Sequence, residues 1–297
     1  MKFGSVKDPS SIDFSLPQDH PDTAVVLQNA SSTQPFSVSV GCTNWGRQQL
    51  QGFYPRGTKD ELTYYSRQFN SIELNATYYN QFSVEQIQKW LAKTPDDFKF
   101  YPKVHRNITH IKRLQQVEAS VNDFAQMAYS FEQKLGGCFA QLHNDFSPKD
   151  FPRLQRFIEY WPDELPLAIE LRHTDWFNDE VMATQLYRLL EQHQVSNIIT
   201  DTAGRRDLLH MRLTTPSALI RYVGTNHESD YTRLEAWAQR IAGWKQQGLQ
   251  QLQFFVHQFE EKEIPQLIAH FIHHLNQHAG TTLSKPAYES PQPSLGL

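Results

Sequence analysis

Short apolar runs recur along the chain, each separated from the next by enough residues for a helix. They are Phe36 to Cys42, Ser71 to Asn75, Phe98 to His105, Cys138 to His143, Leu167 to Arg172, Asn197 to Asp201, Ala218 to Val223 and Leu252 to His257. Their length suits buried strands. The stretches between them carry helical period and helix starts of capping-box form: Thr58 with Glu61, Ser83 with Gln86, and Thr232 with Glu235. Ser147 before Pro148 is a further start. Gly136 after Val117 to Leu135, and Gly248 after Arg233 to Gln247, stand where a helix stop needs a left-handed residue. Strand-like runs alternating with helices predict an α/β protein, a TIM (β/α)8 barrel, whose usual size is roughly 250 residues. A doubly wound open sheet is the competing fold. The first strand, SVGCTNWG, weakens it because it lacks the GxGxxG turn, and no GxxxxGK follows elsewhere.

The pattern sets the expected layout: an N-terminal extension over 1–35, rich in Ser, Pro, Asp and Gln; a single barrel domain over 36–280; and a Pro- and Ser-rich tail over 281–297, wrapping the surface or disordered. In a barrel the reacting groups sit where strands end, and alternation says which side chains turn inward. If Ile72 and Leu74 pack outward, Glu73 and Asn75 point in. The same phase turns Tyr101, Lys103 and His105 inward on the third run, Gln141 and His143 on the fourth, and Glu170 and Arg172 on the fifth. The sixth run ends in Asp201, the seventh carries Arg221 and the eighth ends in His257. So many ionisable strand ends, costly to bury for stability alone, predict one polar pocket.

Composition then narrows the class. The 297 residues hold 28 Lys and Arg against 32 Asp and Glu, a net charge of −4, which argues against a dedicated DNA-coating protein. Two distant cysteines, Cys42 and Cys138, with no CxxC, exclude a disulfide scaffold and a cysteine zinc site, and fit a reducing cytoplasm. No apolar run reaches signal-peptide or membrane-spanning length, so a cytoplasmic protein with no membrane partner is expected.

The residues also carry a resemblance. Gly41 to Trp45, Gly52 to Pro55, Phe69 and Ile72 to Tyr79 come first; then Trp90, Thr94 and Pro95, Phe98 to Phe100, Lys103, and Ile108 to His110. Leu135 and Gly136, Gln141 and Leu142, Glu170 to His173, and Trp176 follow in order. Together, over roughly residues 38 to 260, the chain resembles the YecE-like family, domain of unknown function 72. The resemblance implies a TIM-barrel-like fold and supplies no established reaction. The chain departs from the commoner pattern where Phe254 to His257 replaces a strand closing in asparagines, and where the loop Thr200 to Asp207 is longer and more basic. The extension points to a subgroup.

The expected function is an enzyme acting by general acid and base chemistry on a small anionic substrate, phosphorylated or carbohydrate-derived. Glu73 and Glu170 are the acid and base candidates, His110 and Lys103 share the catalytic set, and Lys103, Arg172 and Arg221 offset negative charge. A glycosidase is the narrower version. Substrate contacts are expected from Trp45, Asn75, Tyr79, His105, Gln141, Arg172, Trp176, Asp201, Arg205, Arg221 and His257. Gly204, Arg205 and Arg206 suit bidentate phosphate binding, or else salt-bridge Asp201 and Asp207. No cofactor is expected and no metal: His270, His273, His274 and His278 read as a polar helix surface. The pocket is expected to be nearly neutral, with Glu73, Glu170 and Asp201 against Lys103, Arg172 and Arg221. Two alternatives stay open: a nucleic-acid-binding or phosphodiester-processing barrel using Lys103, Arg106, Arg205 and Arg206, and a non-catalytic metabolite-binding protein. The sequence sets no oligomeric state.

Overall fold

The computed structural model describes residues 4–30 and 35–288. Each apolar run forms a strand: β1 (Ser37–Gly41), β2 (Ser71–Leu74), β3 (Lys99–Pro102), β4 (Cys138–Gln141), β5 (Leu167–Glu170), β6 (Ser196–Asn197), β7 (Ile199–Asp201), β8 (Ser217–Val223) and β9 (Gln251–His257). The sixth run is split into β6 and β7 at Ile198. The helices are α1 (Pro21–Gln28), α2 (Glu61–Tyr65), α3 (Ala76–Tyr79), α4 (Val84–Leu91), α5 (Glu118–Tyr129), α6 (Phe151–Tyr160), α7 (Asp175–Asn178), α8 (Glu180–Gln192), α9 (Ser229–Gln247) and α10 (Ile264–Ala279).

Every strand pair is parallel, as helical crossovers require. The protein is therefore an α/β fold of parallel sheets. The ladders fall into three sheets, β1-β9-β8-β7, β2-β3 and β4-β5-β6, and do not close into one ring. Isolated hydrogen bonds reach across two of the gaps: Glu73 N donates to Cys42 O between β1 and β2, and Val104 N to Phe139 O between β3 and β4.

Alternation gives each sheet two apolar faces. Ile72, Leu74, Phe100, Val104, Ile169 and Leu171 join the main core with helix residues such as Ile87, Phe124, Leu154 and Leu186. A second cluster, Tyr101, Phe139, Ala168, Ile198, Leu219 and Phe255, fills the space where the sheets face one another. The Tyr101 and Phe255 rings, from different sheets, lie 5.1 Å apart. The α9 and α10 layer packs on β9 through fully buried Trp237, Trp244, Phe254 and Phe271, with the two Phe rings stacked at 4.0 Å. Each such ring contributes about 1.5–3 kcal/mol by leaving water.

Helix ends follow the expected signals in part. Ser83 caps α4 through Gln86 N, Ser147 and Asp150 form a reciprocal capping box, and Gly248 ends α9 at φ 119°. Asp60, not Thr58, caps α2, because its carboxylate accepts from Thr63 N at 2.8 Å. Thr232 lies inside α9, and Gly136 lies beyond α5, donating its N–H to Phe100 O. The described part of the N-terminal segment docks on the α9 side. Asp19 accepts from Trp244 Nε1 at 2.8 Å, and Thr23 Oγ1 donates to Met211 O at 3.0 Å. Gly204 N donates to Gly4 O at 2.8 Å; a Cβ at Gly204 would sit 2.9 Å from the Gly4 backbone, so the approach needs glycine. Tail residues 289–297 lie outside the described residues. No helix among the described residues is long and apolar enough to cross a membrane.

Candidate functional site

At the carboxyl ends of the strands the three sheets meet around one guanidinium. Arg221 of β8 donates through Nε and Nη2 to both Glu73 oxygens at 3.0 and 2.9 Å, and through Nη1 to Glu170 Oε2. Arg172, just past β5, donates to the other Glu170 oxygen at 2.5 Å. Gln141 Oε1 accepts from Lys103 Nζ at 2.9 Å and from Arg221 at 3.4 Å. His257 Nε2 lies 3.0 Å from Glu73 Oε2, and Asn75 Nδ2 donates to Glu73 Oε1 at 2.8 Å. Glu73 and Glu170 are 0% and 1% exposed. This is the convergence that period two predicts on β2, β3, β4, β5, β8 and β9.

The electrostatics separate these groups. Burial opposes ionisation of Glu73, but Arg221 and then His257 outweigh it and hold the carboxyl well below its usual range. Burial likewise opposes ionisation of Glu170, and Arg172 and Arg221 overcome it, bringing the carboxyl down to about 2. Both stay anionic at neutral pH, so neither suits the acid role the sequence suggests. Lys103 moves the other way: burial and then Arg221 bring its amine down to about 7. Among the described residues it makes no salt bridge to a carboxylate; its partners are the neutral Gln141 amide and the Tyr78 ring, 4.5 Å from Nζ. His110 sits on a π-turn over Asn107–Ile111, with ring contacts of 5.1 Å to Tyr78 and 5.6 Å to His143. Burial, followed by Lys103, lowers its imidazole to about 4 and keeps it neutral.

Other expected residues lie elsewhere. Asp201 faces away from the cluster, toward α9, where it accepts from Arg206, Arg233 and Trp237. The phase explains it: Ile198 belongs to the inward apolar cluster, so Thr200 points inward and Asp201 outward. Without Asp201, the described residues pair Arg172 and Arg221 with Glu73 and Glu170, and Lys103, its amine at about 7, stands outside those pairs. Trp176 is fully buried, donates to Phe146 O and stacks on the Phe146 ring. Trp45 packs edge-on against Trp90, and Tyr79 is exposed beside Tyr78. His105 accepts from Asn107 N and lines a separate cavity beside Thr77, Asn80 and Ser120. Arg205 pairs with Asp207 and reaches the Arg172 carbonyl at 3.3 Å.

Sequence reasoning missed two residues. Thr200, in register with Arg221, has a buried Oγ1 with no hydrogen-bond partner among the described residues; continuing the alternation from Ile198 would have found it. Glu261, in the loop after β9, accepts from Asn44 at 3.4 Å, and burial raises its carboxyl. No local motif marks it. As for metal ligands, the described residues bring Glu235, His270 and His274 together.

The comparisons with known proteins agree with this architecture. UPF0759 protein YecE of Escherichia coli (strain K12) is 29% identical over 226 residues, covering 70% of this chain and 82% of that protein. UPF0759 protein YunF of Bacillus subtilis (strain 168) is 26% identical over 150 residues, 48% of this chain and 52% of YunF. Among solved structures, a DUF72 family protein of Thermotoga maritima MSB8 superposes with a TM-score of 0.66 at 24% identity, over 81% of this chain and 98% of that one. One from Enterococcus faecalis V583 gives 0.66 at 17% identity, over 86% and 100%. The family described as "Protein of unknown function DUF72" matches residues 39–293, and the chain belongs to that family.

Proposed function

We propose that this chain is an enzyme acting on a small anionic substrate, in which Lys103 carries the proton and the Arg172 and Arg221 pair supplies the positive field. One observation carries the reading: a buried lysine bonded to a neutral amide, set beside two arginines and without a carboxylate salt bridge among the described residues. Buried charges are ordinarily paired, whereas this amine has no carboxylate salt bridge among the described residues. An amine poised near neutrality can accept or return a proton, and the spare charge favours an anion. Glu73 and Glu170 then orient the arginines, His257 and Asn75 complete the Glu73 side, and neutral His110 and Tyr78 stand at the rim. The glycosidase version loses ground, because it needs a protonated carboxyl and both carboxyls are held ionised.

We also propose that the three sheets are arcs of one (β/α)8 barrel over residues 36–280, with 1–35 as an extension and 281–297 as a tail. The strand order, the facing apolar cluster and the hydrogen bonds across the sheet gaps support it. Free, buried Cys42 and Cys138 suit a reducing cytoplasm. The phosphodiester reading is weaker: Arg206 is committed to Asp201 and to the Phe14 and Ser15 carbonyls, Arg205 to Asp207, and Lys103 is buried.

Thermal-shift binding of a panel of sugar phosphates and sugar acids tests the reading, followed by turnover assays on any compound that binds. Wild type should bind and convert at least one, and Lys103→Met should fold, bind more weakly and fail to convert it. If the panel leaves the midpoint unmoved while a single-stranded oligonucleotide binds with steep salt dependence, the nucleic-acid reading replaces this one.

A further inference from the structure

On the outer layer, away from the strand-end cluster, α9 and α10 present a second group of side chains with chemistry. We propose that Glu235, His270 and His274 form a divalent-metal site, suited to zinc, that ties α9 to α10. His270 and His274 are four apart on α10 and share a face, and Glu235 reaches them from α9. Glu235 Oε1 lies 3.1 Å from His270 Nε2 and 3.4 Å from His274 Nε2, and one donor atom from each residue falls within 4.8 Å of the others. A tetrahedral zinc with bonds of about 2.0–2.1 Å spaces its ligands roughly 3.3–3.4 Å apart. Two of the three edges are thus already near that length.

The placement of His270 agrees with a cation between these groups. Its Nε2 is buried, has no aligned hydrogen bond among the described residues, and faces Glu235 Oε1 at 3.1 Å. A ring nitrogen and a carboxylate oxygen at that separation can share one cation. Three protein ligands leave the fourth position to water. The histidine stripe reads as polar surface in the sequence because Glu235 comes from another helix.

Tag-free full-length protein, stripped with chelator, should be titrated with Co²⁺ and then Zn²⁺. Wild type should take up one equivalent of Co²⁺ with the intense visible absorption of a tetrahedral complex, which Zn²⁺ displaces. Either ion should raise the melting midpoint. His274→Ala and Glu235→Gln, on different helices, should each weaken binding by roughly tenfold or more. His193→Ala, on an exposed histidine after α8, should leave it unchanged. Circular dichroism in chelator establishes that each variant is folded, and if one is not, the other carries the test. Absence of binding by wild type overturns the proposal. So does an equivalent that survives in the folded variants, since it belongs to other histidines.

Discussion

Two buried ion clusters lie on opposite sides of β7 and β8. The inner one joins Glu73 and Glu170 to Arg172, Arg221 and Lys103. The outer one, beneath α9, joins Asp201 and Asp230 to Arg206 and Arg233. The outer cluster balances two charges against two, and its acceptors are widely used. Asp230 receives Tyr222 Oη, Thr225 N, Gln258 and Arg233, and Trp237 Nε1 closes on Asp201 at 2.7 Å. The Arg233 guanidinium is also covered by the Phe14 and Tyr222 rings, each 4.4 Å away. Among the described residues the inner cluster holds Lys103 outside its arginine–carboxylate pairs, seats it on a neutral amide, and runs to a rim of His257, His110 and Tyr78. Buried charge alone therefore does not mark a site; an unmatched cation beside polar groups at a rim is the more telling feature.

The sharpest way to break the comparison is to remove the central cation of each cluster. Arg221→Met leaves Glu73 and Glu170 each short of a buried partner and should cost about 3–5 kcal/mol. Arg233→Met should cost about 2 kcal/mol, because Asp201 keeps Arg206 and Trp237 while Asp230 keeps the Thr225 amide. Urea denaturation measures both, and equal losses would show that the outer cluster is not the better buffered. Acid offers the next largest effect. The Glu170 carboxyl sits at about 2 in the folded protein, below its ordinary value, so its contribution is full above about pH 4.5 and is lost as pH falls toward 2. The loss should approach about 3 kcal/mol. Glu170→Gln should flatten the dependence of urea midpoints on pH across that window; an unchanged slope would remove Glu170 as the titrating group.

Lys103 sharpens the contrast from the other direction. Its folded pKa of about 7 lies below the ordinary lysine value, so the unfolded chain binds more protons between pH 7 and about 10.4, and stability rises with pH through that interval. Lys103→Met should abolish the rise and stabilise the protein by about 1–2 kcal/mol at pH 7, having removed a buried charge with no carboxylate salt bridge among the described residues. A variant less stable than wild type at neutral pH would mean that the amine is paired after all. ¹⁵N NMR titration of the Lys103 Nζ checks the same point without mutation.

How much of this was legible in the sequence depended on phase. Long runs with clear apolar partners, such as Ile72 to Leu74 or Ile169 to Leu171, set which side faces the helices, and Glu73, Lys103, Gln141, Glu170 and Arg172 followed from it. The sixth run offered no such reference: it is short, and Ile198 interrupts its ladder between β6 and β7, so Asp201 looked like a strand-end ligand although it faces α9. Trp176 and Trp45 show a second limit. A ring just past a strand end can turn to either side, and Trp176, on the short α7, is turned into the core, where its indole donates to the Phe146 carbonyl. The closed ring of strands was expected from count and spacing, but register between sheets depends on contacts far apart in sequence, and only isolated bonds reach across the gaps.

The smallest expected effect concerns the hydroxyl that phase would have revealed. Thr200 shares the inner face with Arg221, and its buried Oγ1 has no partner among the described residues. A buried hydroxyl without a partner is a cost in the empty protein, so Thr200→Val should leave stability unchanged or raise it by less than about 1 kcal/mol. In the outer cluster, Tyr222→Phe removes a hydroxyl bonded to Asp230 at 3.1 Å and should lower stability by about 1 kcal/mol. The opposite signs follow from one hydroxyl having its acceptor inside the fold and the other lacking one. Binding then separates them again: if the inner hydroxyl serves a ligand, Thr200→Val should weaken capture of any anion that stabilises wild type, by about tenfold for one lost bond. Tyr222→Phe should not. Thermal-shift titrations of both variants decide it, and equal anion affinity in Thr200→Val and wild type would remove Thr200 from the site while leaving the charge argument for Lys103 intact.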